Sequence, residues 1–161
     1  QAIQGIQGIH GATGATGAAG ADGADGSGGD AYLAQTQTFT GAKTFSATTV
    51  FEAGITEDAV TLTGTATTID LSAATNFVHD LTGATTYTFS NPASTGNASS
   101  FTLKIIQDST ARAITWPASV DWAAGTAPTL TATDNGVDVF VFYTIDGGTT
   151  YYGFTAGQAM A

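Results

Sequence analysis

The sequence predicts a collagen-like triple helix followed by an all-β fold, assembled as a homotrimer. Two patterns predict it: a glycine at every third position near the start, and short runs rich in Thr, Val, Ile, Phe and Tyr from about residue 64 onward. No stretch shows sustained helical periodicity. We therefore expect a triple helix over residues 1–31, a short β neck or stalk over 32–62, and a C-terminal trimerisation head over 63–161, folded as a β-sandwich or jelly-roll-like domain.

Glycine keeps a strict three-residue phase through the first part of the chain, with only Gly28 outside it. A triple helix requires this phase, because only a hydrogen side chain fits where three chains meet at the axis. The alternative is a disordered Gly/Ala linker, which needs no phase. The repeat holds no proline, so another part of the chain must bring three copies together and set their register. The expected axial residues are Gly5, Gly8, Gly11, Gly14, Gly17, Gly20, Gly23, Gly26 and Gly29.

The segment after the repeat reads "AYLAQTQTFTGAKTFSATTVFEAGITEDAV" over residues 31–60. Its apolar and polar residues alternate over short runs, which favours strands too short to be stable in one chain. Three chains wrapped together would bury an apolar core along a shared axis. The expected neck core residues are Phe39, Phe45, Val50 and Phe51.

The remaining residues predict the head. The expected strands are 65–72, 76–81, 85–90, 100–107, 112–116, 128–133, 137–145 and 149–155. Between the strand patterns, Asn135-Gly136 indicates a type I′ hairpin turn. The run "VDVFVFYTI" is apolar on both faces, so we expect its second face to meet a neighbouring subunit.

Charge is sparse and one-sided. Lys43, Lys104 and Arg112 are the only basic residues against thirteen acidic ones, a net charge of −10. This balance argues against nucleic acid and against anionic lipid surfaces as partners. No apolar run approaches the length that membrane insertion requires. The chain has no cysteine, which excludes disulfides and Cys-based metal sites.

We expect no catalytic site. Cleavage of a polysaccharide needs two carboxylates that face each other, and nothing in the sequence pairs the candidates. A nucleophilic triad would need His10, inside the repeat, or His79, on an expected strand where a structural role is more common. Residues 134–138 resemble a calcium loop without its closing Glu, so we expect no metal and no cofactor. The acidic candidates are Glu52, Glu57, Asp58, Asp70, Asp80, Asp108 and Asp121.

Aromatic residues offer the best candidates for contact with a receptor. Two tryptophans flank the loop "WPASVDW". We expect Trp116 in the core. Trp122 is the better surface candidate, where its ring would stack on a sugar while Asp121 accepts hydroxyl hydrogen bonds, and core packing is the main alternative for Trp122. Tyr151 and Tyr152 are adjacent on a strand, so they face opposite ways and one of them should be exposed or lie at an interface.

Several stretches resemble one group of proteins. "ITWP", "GTAPTLTAT" and "DGGTTYYGFTAGQ", within residues 100–161, are similar to the C-terminal domain of tailed-bacteriophage fibre proteins, particularly of phages that infect aquatic bacteria and cyanobacteria. "QTFTGAKTFSATTVF" resembles short repeats of phage fibre shafts, and collagen-like stretches joined to such domains also occur in phage fibres. The resemblance implies a homotrimeric structural fibre on the extracellular face of the virion, on tail or capsid.

In that setting, other virion proteins would bind the N-terminal side, and the head would be presented for attachment to a host-surface glycan. A second hypothesis is the carbohydrate-binding, adhesive head of a bacterial surface or spore-coat collagen-like protein. A third and weaker one is a polysaccharide depolymerase.

Overall fold

The computed structural model describes residues 42–160 and, before them, residues 1, 3, 5, 8, 11 and 14–17. The chain divides into two compact units, Gln1–Thr49 and Val50–Ala161. The second unit is all-β, which confirms the predicted class. Its strands are β1 (Ala59–Leu62), β2 (Ala66–Asp70), β3 (Asn76–Asp80), β4 (Thr85–Ser90), β5 (Ser99–Ile106), β6 (Ile114–Thr115), β7 (Val120–Trp122), β8 (Val137–Thr144) and β9 (Tyr151–Met160).

The strands form two sheets, a six-stranded one in the order β1-β3-β5-β8-β9-β7 and a three-stranded one in the order β2-β4-β6. From β1 to β6 the chain alternates between the sheets, and each strand lies parallel to its predecessor in the same sheet. Parallel neighbours need a crossover connection, and here the strand in the opposite sheet supplies it. These connections differ from those of a jelly roll, which is built from antiparallel Greek keys.

The two sheets share one core that is rich in aromatic rings. Phe89 of the three-stranded sheet lies with its ring centroid 5.0 Å from that of Phe101, 5.2 Å from Phe142 and 4.9 Å from Tyr151, all on the six-stranded sheet. The edge-to-face angles suit the ring quadrupoles. Burial of these large rings is the main force that holds the sheets together.

Not every predicted strand forms. The stretch 128–133 has strand-type residues but pairs with no strand, so this prediction is wrong. The buried side chain of Asp138 satisfies this segment in place of a neighbouring strand. Thr131 N–H donates to Asp138 Oδ2 at 2.7 Å, and Thr131 Oγ1 donates to Asp138 Oδ1 at 2.6 Å. Strand β7 arises in the stretch read as a loop, and β1 lies in the stretch assigned to the neck.

The predicted type I′ hairpin at Asn135-Gly136 is also wrong. Asn135 has φ of 57°, but Gly136 does not have a positive φ, and no strand precedes the turn. The turn docks on the end of β5, because Asn135 N–H donates to Gln107 O at 3.0 Å and Gln107 N–H donates to Gly136 O at 3.0 Å. A β-hairpin joins β8 to β9 instead, and its turn contains Gly147 and Gly148, which have φ of 72° and 82°.

Candidate functional site: the outer face of the six-stranded sheet

The six-stranded sheet has one face against the core and a second face, called the outer face below, that is turned away from it. On β8, Phe140 and Phe142 are fully buried, whereas Val139 and Val141 are half-buried and Tyr143 is 36% exposed. An antiparallel sheet that meets water on one face normally carries polar residues there. The outer face of β8 is apolar instead, so both faces of this strand are apolar, as the sequence predicted.

Three aromatic side chains form a patch on the outer face. In the β8–β9 pairing, Tyr143 lies opposite Tyr152, and Val141 lies opposite Phe154. Directly opposite side chains have Cβ atoms about 5 Å apart, so these side chains adjoin one another on the outer face. Tyr152 is 46% exposed and Phe154 is 55% exposed. Tyr143, Tyr152 and Phe154 are called the aromatic patch below.

A small open pocket borders this patch at the β7–β9 end of the sheet. It has a volume of about 200 Å³, and its lining includes Asp121, Trp122, Tyr152 and Phe154. The parallel pairing of β7 with β9 places Asp121 opposite Tyr152, and both are exposed. The structure therefore brings these two predicted receptor residues together on the outer face.

The other two predicted receptor residues lie beneath the surface. Trp122 is only 8% exposed and its ring is covered by Gly153, where an added Cβ atom would come within 2.7 Å of the indole. Tyr151 is 3% exposed and packs on Phe89. The prediction of a surface-exposed Trp122 is wrong, and the prediction that one of the two tyrosines is exposed is confirmed by Tyr152.

The outer face also carries a cation without a partner. Lys104 is half-buried on β5, with Val78 opposite it on β3 and Val139 opposite it on β8. Within the described part of the chain, its ammonium group makes no hydrogen bond and no ion pair. Two exposed carboxylates, Asp80 and Asp121, lie on the same face on other strands.

The outer face of the three-stranded sheet has the opposite character. It presents hydroxyl groups, and Thr68 and Thr88 share a hydrogen bond of 2.8 Å between their Oγ1 atoms. These side chains are exposed and alternate with the buried Ile69 and Tyr87. This is the pattern of a sheet whose outer side meets water. The outward-facing threonines are Thr68, Thr86, Thr88 and Thr115.

A second concave feature is a cleft of about 360 Å³ between residues 107–116 and residues 127–132. Trp116 lines it and is half-buried, and its ring packs on the core rings of Tyr87 and Phe142 at centroid distances of 5.4 and 5.5 Å, so Trp116 belongs to the edge of the core as expected while Trp122 is buried more deeply. Arg112 also lines the cleft. Its Nη2 lies 2.6 Å from Asp108 Oδ2, and its Nε contacts both carboxylate oxygens. This hydrogen bonding holds the pKa of Asp108 below its usual value.

His79 is fully buried in the core. Its Nδ1 lies 2.7 Å from Tyr87 Oη, and its Nε2 has no hydrogen-bond partner among the described residues. Burial lowers the pKa of His79, against the opposing effects of the Gly64 backbone and the Asp80 charge. Burial also raises the pKa of Tyr87. Both shifts favour the neutral forms of the two side chains, and among the described residues no carboxylate hydrogen-bonds to His79.

Some of the acidic candidates for catalysis accept hydrogen bonds from other residues of the domain. Glu57 accepts hydrogen bonds from Thr75 and Asn76 at 2.7 and 2.9 Å, and Asp108 pairs with Arg112. The turn carboxylate at position 146 accepts from its own loop, which lowers its pKa. In the portion that the structure describes, no three His, Asp or Glu residues cluster closely enough to hold a metal ion.

The predicted neck residues are open to solvent in the single chain. Residues 42–58 form no strand, and Phe45, Val50 and Phe51 are 70%, 77% and 63% exposed. Phe39 lies outside the described residues. Whether neck segments pair between chains stays a prediction.

The described glycines of the repeat have no close neighbour in their own chain. A Cβ atom added at Gly5, Gly8, Gly11, Gly14 or Gly17 would meet nothing within 4 Å. The later axial positions, Gly20, Gly23, Gly26 and Gly29, lie outside the described residues.

Comparison with protein-family models, with curated proteins and with solved structures finds no match to this chain. Over the described residues, no helix has the length and hydropathy needed to cross a membrane.

Proposed function

We propose that this chain is one third of a homotrimeric fibre, in which the Gly-X-Y segment is a triple-helical rod and the β domain is the head. One observation carries the proposal: glycine keeps its phase through the repeat, yet a Cβ atom added at any of the described repeat glycines would meet nothing within 4 Å among the described residues. Contacts within the described part of the single chain therefore give no reason for glycine at these positions. Two further chains around a common axis supply it.

The exposed apolar side chains of the neck support the same assembly. Phe45, Val50 and Phe51 together expose far more apolar surface than a segment of this length normally leaves in water. Association of three chains would cover it. The head then holds the three rods close together, so that the triple helix forms at high local concentration and in register.

The sequence resemblance to phage fibres supports a position on the outside of a virion, with the N-terminal side of the fibre towards other virion proteins. The bacterial collagen-like adhesin remains the alternative setting. Labelled antibody against the head, imaged on intact phage particles and on host cells, separates the two. Label on the particles supports the viral setting, and label on uninfected cells supports the bacterial one.

The trimer itself is tested by sedimentation and circular dichroism of the full chain. We expect a mass three times the 16.1 kDa of one chain and a triple-helix melting transition. Gly14→Ala should lower the melting temperature of the rod and leave the head trimeric, because a methyl group does not fit at the axis. Thr16→Ala is the matched control, since it creates the same residue at a position that points away from the axis. A monomer at micromolar concentration would refute the proposal.

A second candidate function for the head, attachment to a carbohydrate, is favoured by the cleft beside Trp116. An indole edge next to a guanidinium group suits a sugar ring that carries a carboxylate. The hydrogen bonds to Asp108 use Nε and Nη2 of Arg112, which leaves Nη1 to face a ligand. A glycan array probed with the full chain and with Arg112→Gln tests it. Binding of acidic glycans that the variant loses supports attachment at the cleft, and binding that the variant retains excludes this site.

A further inference from the structure

We infer that the outer face of the six-stranded sheet is the surface through which the heads associate, and that its occupant is a second copy of this chain. The inference rests on the proposed homotrimer and goes beyond it, since a trimer held by the rod and neck alone would leave this face in water. It assigns the aromatic patch to a subunit interface.

The first argument is the contrast between the two outer faces of the same domain. The three-stranded sheet presents threonines, as a solvated sheet does. The six-stranded sheet presents Val139, Val141 and the aromatic patch on adjoining strands. A contiguous apolar surface of this kind on a soluble protein marks an interaction site. Aromatic side chains are also the residue type most enriched in the centres of interfaces.

The second argument is size. The six strands, at a spacing of about 4.8 Å and a rise of about 3.3 Å per residue, give the face roughly 600 Å². A stable interface buries about 800 Å² on each partner. The face therefore supplies most of the area that a stable association needs, and the neighbouring loops add to it.

The third argument is charge. Among the described residues, Lys104 is the only cation on the outer face, and it lies half-buried between valines with no hydrogen bond or ion pair to them. A second copy brings its own exposed carboxylates, Asp80 and Asp121, to the same surface. A lysine that gains a carboxylate partner in an interface stabilises the complex and helps to set its orientation. Because the chain has thirteen acidic residues but only three Lys and Arg residues, a lysine–carboxylate pair between copies can form at few places, and the outer face provides one of them.

These observations favour a second copy over a sugar as the occupant of the patch. A sugar site needs several hydrogen-bonding groups beside its aromatic platform. The pocket at the β7–β9 end offers one charged side chain, Asp121, and otherwise an apolar lining. A flat apolar face suits another protein surface, and the Gly-X-Y repeat brings identical chains together.

The absence of cysteine makes the test direct. Phe154→Cys puts a single thiol on the outer face, and Thr88→Cys puts one on the solvated face of the other sheet. Both are made in the full chain, and modification by a maleimide reagent is followed at a concentration where sedimentation has fixed the mass. We expect the thiol of Phe154→Cys to react at least about tenfold more slowly than the thiol of Thr88→Cys, because a thiol in an interface reacts only when the interface opens. In denaturant both should react at the same rate.

The outcomes separate this inference from the proposed function. A trimer with a protected thiol at position 154 supports both. A trimer in which Phe154→Cys reacts as fast as Thr88→Cys overturns the interface and leaves the fibre standing. A monomer throughout overturns both. A trimer whose position 154 becomes protected only when a glycan is added assigns the patch to a sugar and overturns the interface.

Val141→Glu gives an independent check. A carboxylate at this half-buried position on β8 should dissociate the heads, whereas Thr86→Glu on the opposite face should not. Far-ultraviolet circular dichroism establishes that each variant keeps its β structure. A folded Val141→Glu variant that remains as tightly trimeric as the parent protein overturns the inference.

Discussion

Glycine has different reasons to be present in the two regions of this molecule. In the β domain, an added Cβ atom at Gly153 would lie 2.7 Å from the Trp122 ring, and one at Gly136 would lie 2.6 Å from Thr131. In the repeat, an added Cβ atom at Gly14 would meet nothing within 4 Å. The fold of the β domain therefore requires glycine at these two positions, whereas the described contacts of the single chain do not require it at Gly14. Large apolar residues show the same contrast.

The largest effect should come from a substitution that removes a core ring. Phe142→Ala should lower the free energy of unfolding of the head by about 3–5 kcal/mol, because Phe142 is fully buried and its loss leaves a cavity. Denaturant unfolding at a fixed protein concentration measures it. Phe45→Ala is the control, since Phe45 is 70% exposed in the single chain. Phe45→Ala should leave head unfolding unchanged and weaken only the association of chains. An equal loss of head stability in both variants would break the comparison.

The next effect concerns a buried carboxylate that holds an unpaired segment in place. Asp138 is fully buried and accepts hydrogen bonds from Thr131 N–H, Thr131 Oγ1–H and Ala159 N–H. Asp138→Asn replaces one acceptor oxygen with a donor that faces other donors. We expect a loss of about 2 kcal/mol, the usual scale for hydrogen bonds to a charged group. Asp121→Asn, at an exposed position, should cost less than a quarter of that in the same denaturant titration.

Part of this arrangement could be read from the sequence. Strands β4 and β5 alternate between apolar and polar residues with period two, and β3 and β8 are rich in β-branched and aromatic residues; these local signals predicted the four strands. Asp138 could not be recognised in the same way, because its partners lie in segments that approach only in the folded chain. The burial of Trp122 could not be recognised either, because it depends on the distant Gly153, whose lack of a side chain leaves room for the indole ring. The parallel connections between the sheets leave no signature in any short window of sequence.

Gly153→Ala sharpens the comparison between the two classes of glycine. The new methyl group must displace the Trp122 ring, so we expect a loss of about 1–3 kcal/mol in the free energy of unfolding of the head. Gly54→Ala is the matched control, because an added Cβ there meets nothing within 4 Å and its φ is not positive. Thermal unfolding of both variants measures the difference. If Gly153→Ala were as stable as Gly54→Ala, the packing of Trp122 under the β9 backbone would not be what requires glycine.

The smallest effect is a pH dependence that should belong to the head and not to the rod. Burial lowers the pKa of His79 from its ordinary value of 6.5, so between the two values the unfolded state binds a proton that the folded state does not. Stability should therefore be full above about pH 6.5 and should fall as the pH drops, by at most about 1.4 kcal/mol per pH unit. The carboxylates with lowered pKa values, Asp70, Asp108 and Asp146, lose their contribution only below about pH 4, outside this window. Denaturant unfolding at about pH 7.5 and about pH 5.5 measures this change in the free energy of unfolding with pH. His79→Gln should remove it while His10→Gln should not, because position 10 belongs to the Gly-X-Y repeat and not to the sequence of the β domain. A slope that survives His79→Gln would show that another group titrates with folding and that the buried imidazole is not the cause.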